Sequence, residues 1–364
     1  MTTRIGSSKM ATDEASTGNE HSRSGTMRAI TAAMSETEWD RIHADETSNA
    51  TFIETDRLHR LREHVGELLR RTATRRDSSQ SLDSSNRVAG RALFCVGDAG
   101  SGKTVTLRRA ILSFSALRPV DEGEPRRPIL SINAPDQPSL NAIYGRLLQC
   151  MDYPSMAARS TEVLRQRFLA QSERLGVVLI HIDDAANMTV GQDAFRARRS
   201  AQKIAACLRS LMEEEPPFSL IVSGLEPTLQ LLEHDDALAR RAQQVGLSRV
   251  RPQEHKVIAH ALHLRAKDLG LVFSPDRDLI GRLVHAANQQ FGLSFELAWH
   301  AIALAQAVGA TELGACHFAD AYFRRTSCHP GLNVFEAPDW ERIDTTAIIP
   351  KLVDDPSVTL RRRR

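Results

Sequence analysis

Residues 93–104 read LFCVGDAGSGKT, an apolar run that breaks into a glycine-rich loop and closes on a lysine and a threonine. Within it, Gly97-Asp98-Ala99-Gly100-Ser101-Gly102-Lys103-Thr104 fits G-x-x-x-x-G-K-[ST] without a gap. Glycines at 97, 100 and 102 let the backbone take φ > 0 and turn its N–H groups onto an anion. Lys103 can reach β- and γ-phosphates, and the Thr104 hydroxyl can hold Mg²⁺. Such a loop works between a strand and a helix. Residues 92–96 are a short apolar strand pattern, and residues 105–113 carry apolar side chains at helical spacing. All eight motif residues are therefore expected to bind nucleotide phosphates, aided by the partial positive charge of the helix N-terminus.

The surrounding pattern extends this unit. PILSIN (128–133), VVLIHIDD (177–184) and FSLIVSG (218–224) read as further strands. A helix is expected at about 140–151, and another carries Ile204, Leu208, Leu211 and Met212 on one face. Alternating strands and helices imply a parallel sheet covered on both faces. After residue 251 the strand patterns stop, and helical ones run over 253–268, 275–289, 293–308 and 317–325. Ser274-Pro275 predicts the cap and first turn of the second of these. The expected fold class is α/β: a phosphate-loop nucleotide domain with a parallel sheet, then a small all-helical lid.

Four stretches follow. Residues 1–50, rich in Ser, Thr, Glu and Gly, are expected to form a disordered arm. Residues 51–252 form the nucleotide domain with a leading helix, 253–328 the lid, and 329–364 a tail and candidate partner-docking segment that ends in four arginines. On the leading helix, Leu58, Leu61, Val65, Leu68 and Leu69 mark one face, and Arg57, Arg60, Arg62, Arg70 and Arg71 the other. Residues 75–86, RRDSSQSLDSSN, read as a linker.

A formal charge of +2 gives no global attraction to polyanions, so any basic surface must be local. Five scattered cysteines with no C-x-x-C pair argue against a disulfide framework. Cys316-His317 and Cys328-His329 lack zinc-ligand spacing. With no apolar stretch of membrane-spanning length, the expectation is a cytoplasmic protein without membrane contact.

The strand over 177–182 ends in Asp183-Asp184. A carboxylate at such a strand end lies beside the phosphate loop, where Asp183 can hold the water shell of Mg²⁺ together with Thr104. Asp184 can then orient or deprotonate the attacking water. The plainer reading is an aspartate pair that caps a helix. His181 reads as a packed side chain. Ser223, at the end of the next strand, either contacts the γ-phosphate or attacking water, or is a turn residue. Arg241, in DDALARRAQQ (235–244), either enters a neighbouring subunit's site as an arginine finger or belongs to a solvated basic face.

This arrangement resembles AAA+ ATPases and, more narrowly, the transposition helper ATPases of the TniB/TnsC type. FIETDRLHRL, APDQPSLNAIYGRLL, LIHIDDAANM and LIVSGLEPTLQLLEHDDALARRAQQVGL carry the likeness over roughly residues 51–325. The resemblance implies ATP-dependent homo-oligomers, as a ring or helical filament on duplex DNA, that recruit a transposase and a target-selection protein. Asn187 matches the family's asparagine. Asp184 stands where the family carries Glu, Leu225 replaces its threonine, and GLSFELAW lacks the arginine of a second nucleotide sensor. A slow ATPase is expected, because Asp184 is one methylene short of Glu.

Within FRARRSAQK, Arg196, Arg198, Arg199 and Lys203 form the local candidate for DNA contact; a solvated basic face is the alternative. A signalling NTPase would need effector domains, and an origin-binding loader a DNA domain after the lid, for which about 40 residues are too few. An AAA+ adaptor or signalling NTPase that binds protein alone stays open as a second function.

Overall fold

The computed structural model describes residues 29, 33–35, 54–73, 90–120, 125–135, 139–153, 160–189, 194–214, 217–276, 278–346 and 351–352. The 75–86 linker, the four terminal arginines and all of the arm but residues 29 and 33–35 lie outside these residues. The chain divides at Phe52 into two units, and everything below concerns the second, Ile53–Arg364.

Helix α1 (Asp56–Ala73) leads into β1 (Ala92–Gly97), the phosphate loop and α2 (Lys103–Leu112). Next come β2 (Ile129–Asn133), α3 (Leu140–Cys150), α4 (Thr161–Leu175), β3 (Leu179–Asp183), α5 (Ala194–Glu213) and β4 (Ser219–Gly224). Short α6 (Gln230–Glu233) and α7 (Asp236–Arg241) precede β5 (Ala242–Leu247). All five strands are parallel, in the order β2-β3-β4-β1-β5. Central β3 and β4 are buried on both faces, as their near-continuous apolar sequences require. Phe94, Ile132, Ile180, Ile182, Leu220 and Val222 join one core with the buried faces of α3, α4 and α5. On the other face α1 packs against α2, and Thr72 Oγ1 donates to Ser219 Oγ on β4 at 2.7 Å.

Strand β5 and helix α4 have no counterpart in the sequence reading. β5 is an edge strand with only Val245 and Leu247 buried, so AQQVGL lacks an apolar run. α4 is bounded by Ser160, whose side chain accepts from the Val163 amide, and by left-handed Gly176.

The helical part comprises α8 (His255–Asp268), α9 (Leu279–Ala286), α10 (Phe291–Ala307) and α11 (Ala315–Thr326) around a second core. The expected cap at Ser274-Pro275 is not used. α9 starts at Leu279, whose amide donates to Asp276 Oδ1 at 2.7 Å. Nor does the helical core stop at 328: Val334, Phe335, Ala337 and Ile343 are buried in it. Arg282 holds that stretch by donating to the Val334 and Ala337 carbonyls at 2.6 and 2.8 Å. β6 (Ile343–Asp344) pairs antiparallel with β7 (Lys351–Leu352). No helix among the described residues is long and apolar enough to cross a membrane.

Arg57 ties the two parts together. The sequence reading puts it on the polar face of α1; in the structure it is 1% exposed. Its Nε and Nη2 donate to the two Glu254 carboxylate oxygens at 2.8 and 3.1 Å, and Nη1 donates to the Ser248 carbonyl at 2.7 Å. The guanidinium also lies 4.9 Å from the Phe291 ring centroid, a cation–π distance. The start of α1 thus clasps both the segment leaving β5 and the start of α10.

Candidate nucleotide site

The loop after β1 follows the geometry its glycines allow. Gly100 and Gly102 have φ of 76° and 85°. A side chain on Gly97 would bring its Cβ within 2.9 Å of the Leu247 carbonyl on β5. Gly102 leaves the start of α2 without a side-chain cap, so the first helical amides face the loop. Lys103, 9% exposed, donates to the Gly97 and Asp98 carbonyls at 2.9 Å each, two of its three N–H groups. Burial pulls its ammonium below its ordinary pKa, while the charges of Asp183, Asp184 and Asp98 pull the other way. Ser101 Oγ is buried with no hydrogen-bond partner, so a polar group waits for an acceptor or donor inside the loop. These features fit a bound phosphate chain.

Asp183 closes the site from β3. It is 6% exposed and accepts from Ser223 Oγ at 2.6 Å, Thr104 Oγ1 at 2.9 Å and the Asp184 amide at 3.0 Å. Burial pushes its carboxyl pKa up, but the three hydrogen bonds outweigh burial and hold it below the ordinary value. The 2.9 Å between Thr104 Oγ1 and Asp183 Oδ2 is close to the edge of an octahedron with metal–oxygen distances of about 2.0–2.1 Å, so the pair fits Mg²⁺. Asp184 is exposed, with a left-handed φ of 53°. Asn187, also exposed, donates its amide to the Asp184 carbonyl at 3.1 Å.

Ser223, near the end of β4, lies beside Asp183. It is fully buried, and its hydrogen goes to Asp183, so it backs the carboxylate instead of facing the cleft. His181 is more than packing: its Nε2 lies 2.9 Å from Ser223 Oγ and its Nδ1 2.8 Å from Ser131 Oγ. Burial lowers its pKa, the Asp183 charge opposing, which keeps the ring neutral. Thr228, buried under Gly224 with its hydroxyl unpartnered, is a polar group near the strand end that sequence reasoning missed.

The lid rests on the loop. Leu293 N–H donates to the Gly100 carbonyl at 2.9 Å, and a Cβ on Gly292 would fall 2.8 Å from that same carbonyl oxygen. Asp98 accepts from Gln290 Nε2 of the lid at 2.9 Å and from Arg249 Nε, in the segment leaving β5, at 3.2 Å, so its side chain joins these two and only its backbone serves the loop.

The other expected residues lie elsewhere. Arg241 ends α7 and pairs with Glu213 of α5 at 2.7 Å. Its successor Ala242 pairs with Ala92, at the end of β1 opposite the phosphate loop. Arg198, Arg199 and Lys203 are exposed on α5; Arg196 is in that helix, its side chain outside the described residues. Arg199 and Lys203, but not Arg198, line a groove of about 1000 Å³ with Ser139, Asn141, Thr161 and Arg165. Arg165 is engaged there by Glu214.

Residues 47–252 match the family of the bacterial TniB protein. The chain belongs to that family. No curated protein matches it. Among solved structures, this TniB-family chain is similar to the ORC1 protein of Aeropyrum pernix in complex with DNA, at 14% identity and a TM-score of 0.51 over 76% of this chain and 66% of that one. It is also similar to the ADP form of Aeropyrum pernix ORC2, at 15% identity and a TM-score of 0.49 over 73% and 67%. A third likeness is to Cdc6p of Pyrobaculum aerophilum, at 16% identity and a TM-score of 0.45 over 63% and 59%. The chain thus spans 59% to 67% of the length of these structures. The ORC1 likeness bears on the fold alone: an α/β phosphate-loop domain with a helical C-terminal part.

Proposed function

We propose that this chain is an ATP-dependent regulator of DNA transposition that assembles on duplex target DNA, recruits a transposase with a target-selection partner, and slowly hydrolyses ATP to ADP and phosphate. One observation carries the reading: in a TniB-family chain, Thr104 and Asp183 meet across 2.9 Å at the mouth of an intact phosphate loop. Mg²⁺, when bound, supplies charge that offsets the developing negative charge on the phosphates. The loop amides from Gly97 to Thr104 cradle the phosphates, and Lys103 turns an N–H to them. Thr104 and Asp183 hold the ion. Asp184 orients the attacking water from its exposed turn. Arg241 serves a neighbouring subunit, since its own loop is a strand's length away, about 16 Å at some 3.3 Å per residue. Arg198, Arg199 and Lys203 contact DNA phosphates.

Electrophoretic shift of duplex DNA, with ATP, with a slowly hydrolysed analogue and without nucleotide, tests the reading. Retardation that needs nucleotide and is indifferent to sequence is the expected result. ATP binding without any DNA shift, down to low salt, would favour an adaptor that binds protein alone.

A further inference from the structure

The Asp183 carboxylate terminates a line of four side chains that begins at the sheet's edge. Ser131 on β2 stands directly opposite His181 on β3, and Asp183 lies two residues further along the same face. Ser131 Oγ is 2.8 Å from His181 Nδ1, His181 Nε2 is 2.9 Å from Ser223 Oγ, and Ser223 Oγ is 2.6 Å from Asp183 Oδ1.

Counting hydrogens fixes the direction of the line. An ionised carboxylate only accepts, so Ser223 places its one hydrogen on Asp183. Its oxygen must then accept from His181, which puts the ring hydrogen on Nε2. A neutral imidazole has no second hydrogen, so Nδ1 accepts from Ser131. A histidine present only to fill volume would not need two hydroxyls aligned with its two nitrogens.

We propose that His181 is a positioning residue for the metal-facing carboxylate: as the Nε2–H tautomer that Ser223 selects, with Ser131 donating to its Nδ1, it keeps the Ser223 hydrogen on Asp183 Oδ1 and leaves Oδ2 turned toward Thr104. The role of Asp183 toward Mg²⁺ rests on the function proposed above; the tautomer does not. Partners of this kind, one step behind a metal ligand, orient it and commonly change metal affinity when removed.

Two measurements on the full chain test this. In the nucleotide-free protein, two-bond ¹H–¹⁵N spectra of the imidazole should show the His181 hydrogen on Nε2; a hydrogen on Nδ1 overturns the proposal. Ser223→Ala, which removes the acceptor of that hydrogen, should let the ring sample the other tautomer, and an unchanged spectrum counts against it. Second, a fluorescent ATP analogue is titrated with Mg²⁺. His181→Phe should need about tenfold more Mg²⁺ for half-saturation, with binding in EDTA unchanged. His181→Gln, which keeps an N–H donor for Ser223, should recover most of that loss. Because the effect passes through Ser223, His181→Phe/Ser223→Ala should be no worse than Ser223→Ala. A folded His181→Phe with the wild-type Mg²⁺ curve, or losses that add in the double variant, would refute the assignment. Wild-type protein that binds no nucleotide sinks the ATPase reading instead, and the tautomer then stands or falls on the spectra.

Discussion

Asp184 sits in the left-handed region, at φ 53°, which aspartate tolerates better than most side chains. That turn separates the two acids: Asp183 is buried in hydrogen bonds and Asp184 faces solvent. Their variants should therefore differ. Asp184→Asn should lower phosphate release while sparing ATP affinity, and Asp184→Glu should keep or raise turnover. If Asp184→Asn hydrolyses ATP like the wild type, another group orients the water. Lys103→Ala should remove nucleotide binding altogether, since the loop loses its side-chain cation; unchanged affinity for a fluorescent nucleotide would reject its role. Legibility at this scale follows locality. The phosphate loop can be read because its backbone demands glycine at particular steps. Ser223 and His181 cannot, because whether a strand hydroxyl faces a cleft or a neighbouring strand depends on register with segments about 40 residues away. Arg57 is the extreme case, since its partner Glu254 lies 197 residues along the chain.

Among the elements, the start of α1 clasps the segment leaving β5 and the start of α10. Burial raises the Glu254 carboxyl pKa, but hydrogen bonds from Arg57 and the Arg251 amide outweigh it, leaving the folded pKa below the ordinary 4.5. A depressed folded pKa contributes stability above 4.5 that is lost as pH falls toward the folded value. Glu254→Gln should therefore lose more stability against wild type at neutral pH than in acid, where the two denaturant midpoints should converge. Arg57→Ala, which strands a partly buried carboxylate, should cost about 3–5 kcal/mol in urea unfolding. Much of the element map was legible: four strands and the lid helices lie where periodicity puts them, because their burial faces are wide. β5 was not, because an edge strand beside a polar turn needs only Val245 and Leu247 inside. The start of α9 was not, because Ser-Pro is one helix-start signal and Asp276 supplies another.

At the scale of the whole molecule, the role proposed for Arg241 toward a neighbouring subunit would make activity a property of an assembly. An Arg241→Ala subunit mixed with a Lys103→Ala subunit should regain phosphate release, each supplying what the other lacks; no recovery at any ratio, with assembly intact, would place Arg241 on a structural ion pair with Glu213 alone. On DNA, each lost phosphate contact should flatten the log–log salt slope by about 0.9. Arg198→Ala/Arg199→Ala should then lower both affinity and slope with ATP binding intact. Deleting residues 361–364 separates this surface from the terminal arginines. The hydrogen bond from Leu293 to the Gly100 carbonyl has a different use, as a clock. Its amide hydrogen can exchange with solvent only when the lid lifts off the loop. The amide of Ser294, one residue on, is bonded within the lid to the Gln290 carbonyl and is released only when α10 frays. The ratio of their deuteration rates would count how often the lid rises as a rigid cap, with no probe attached.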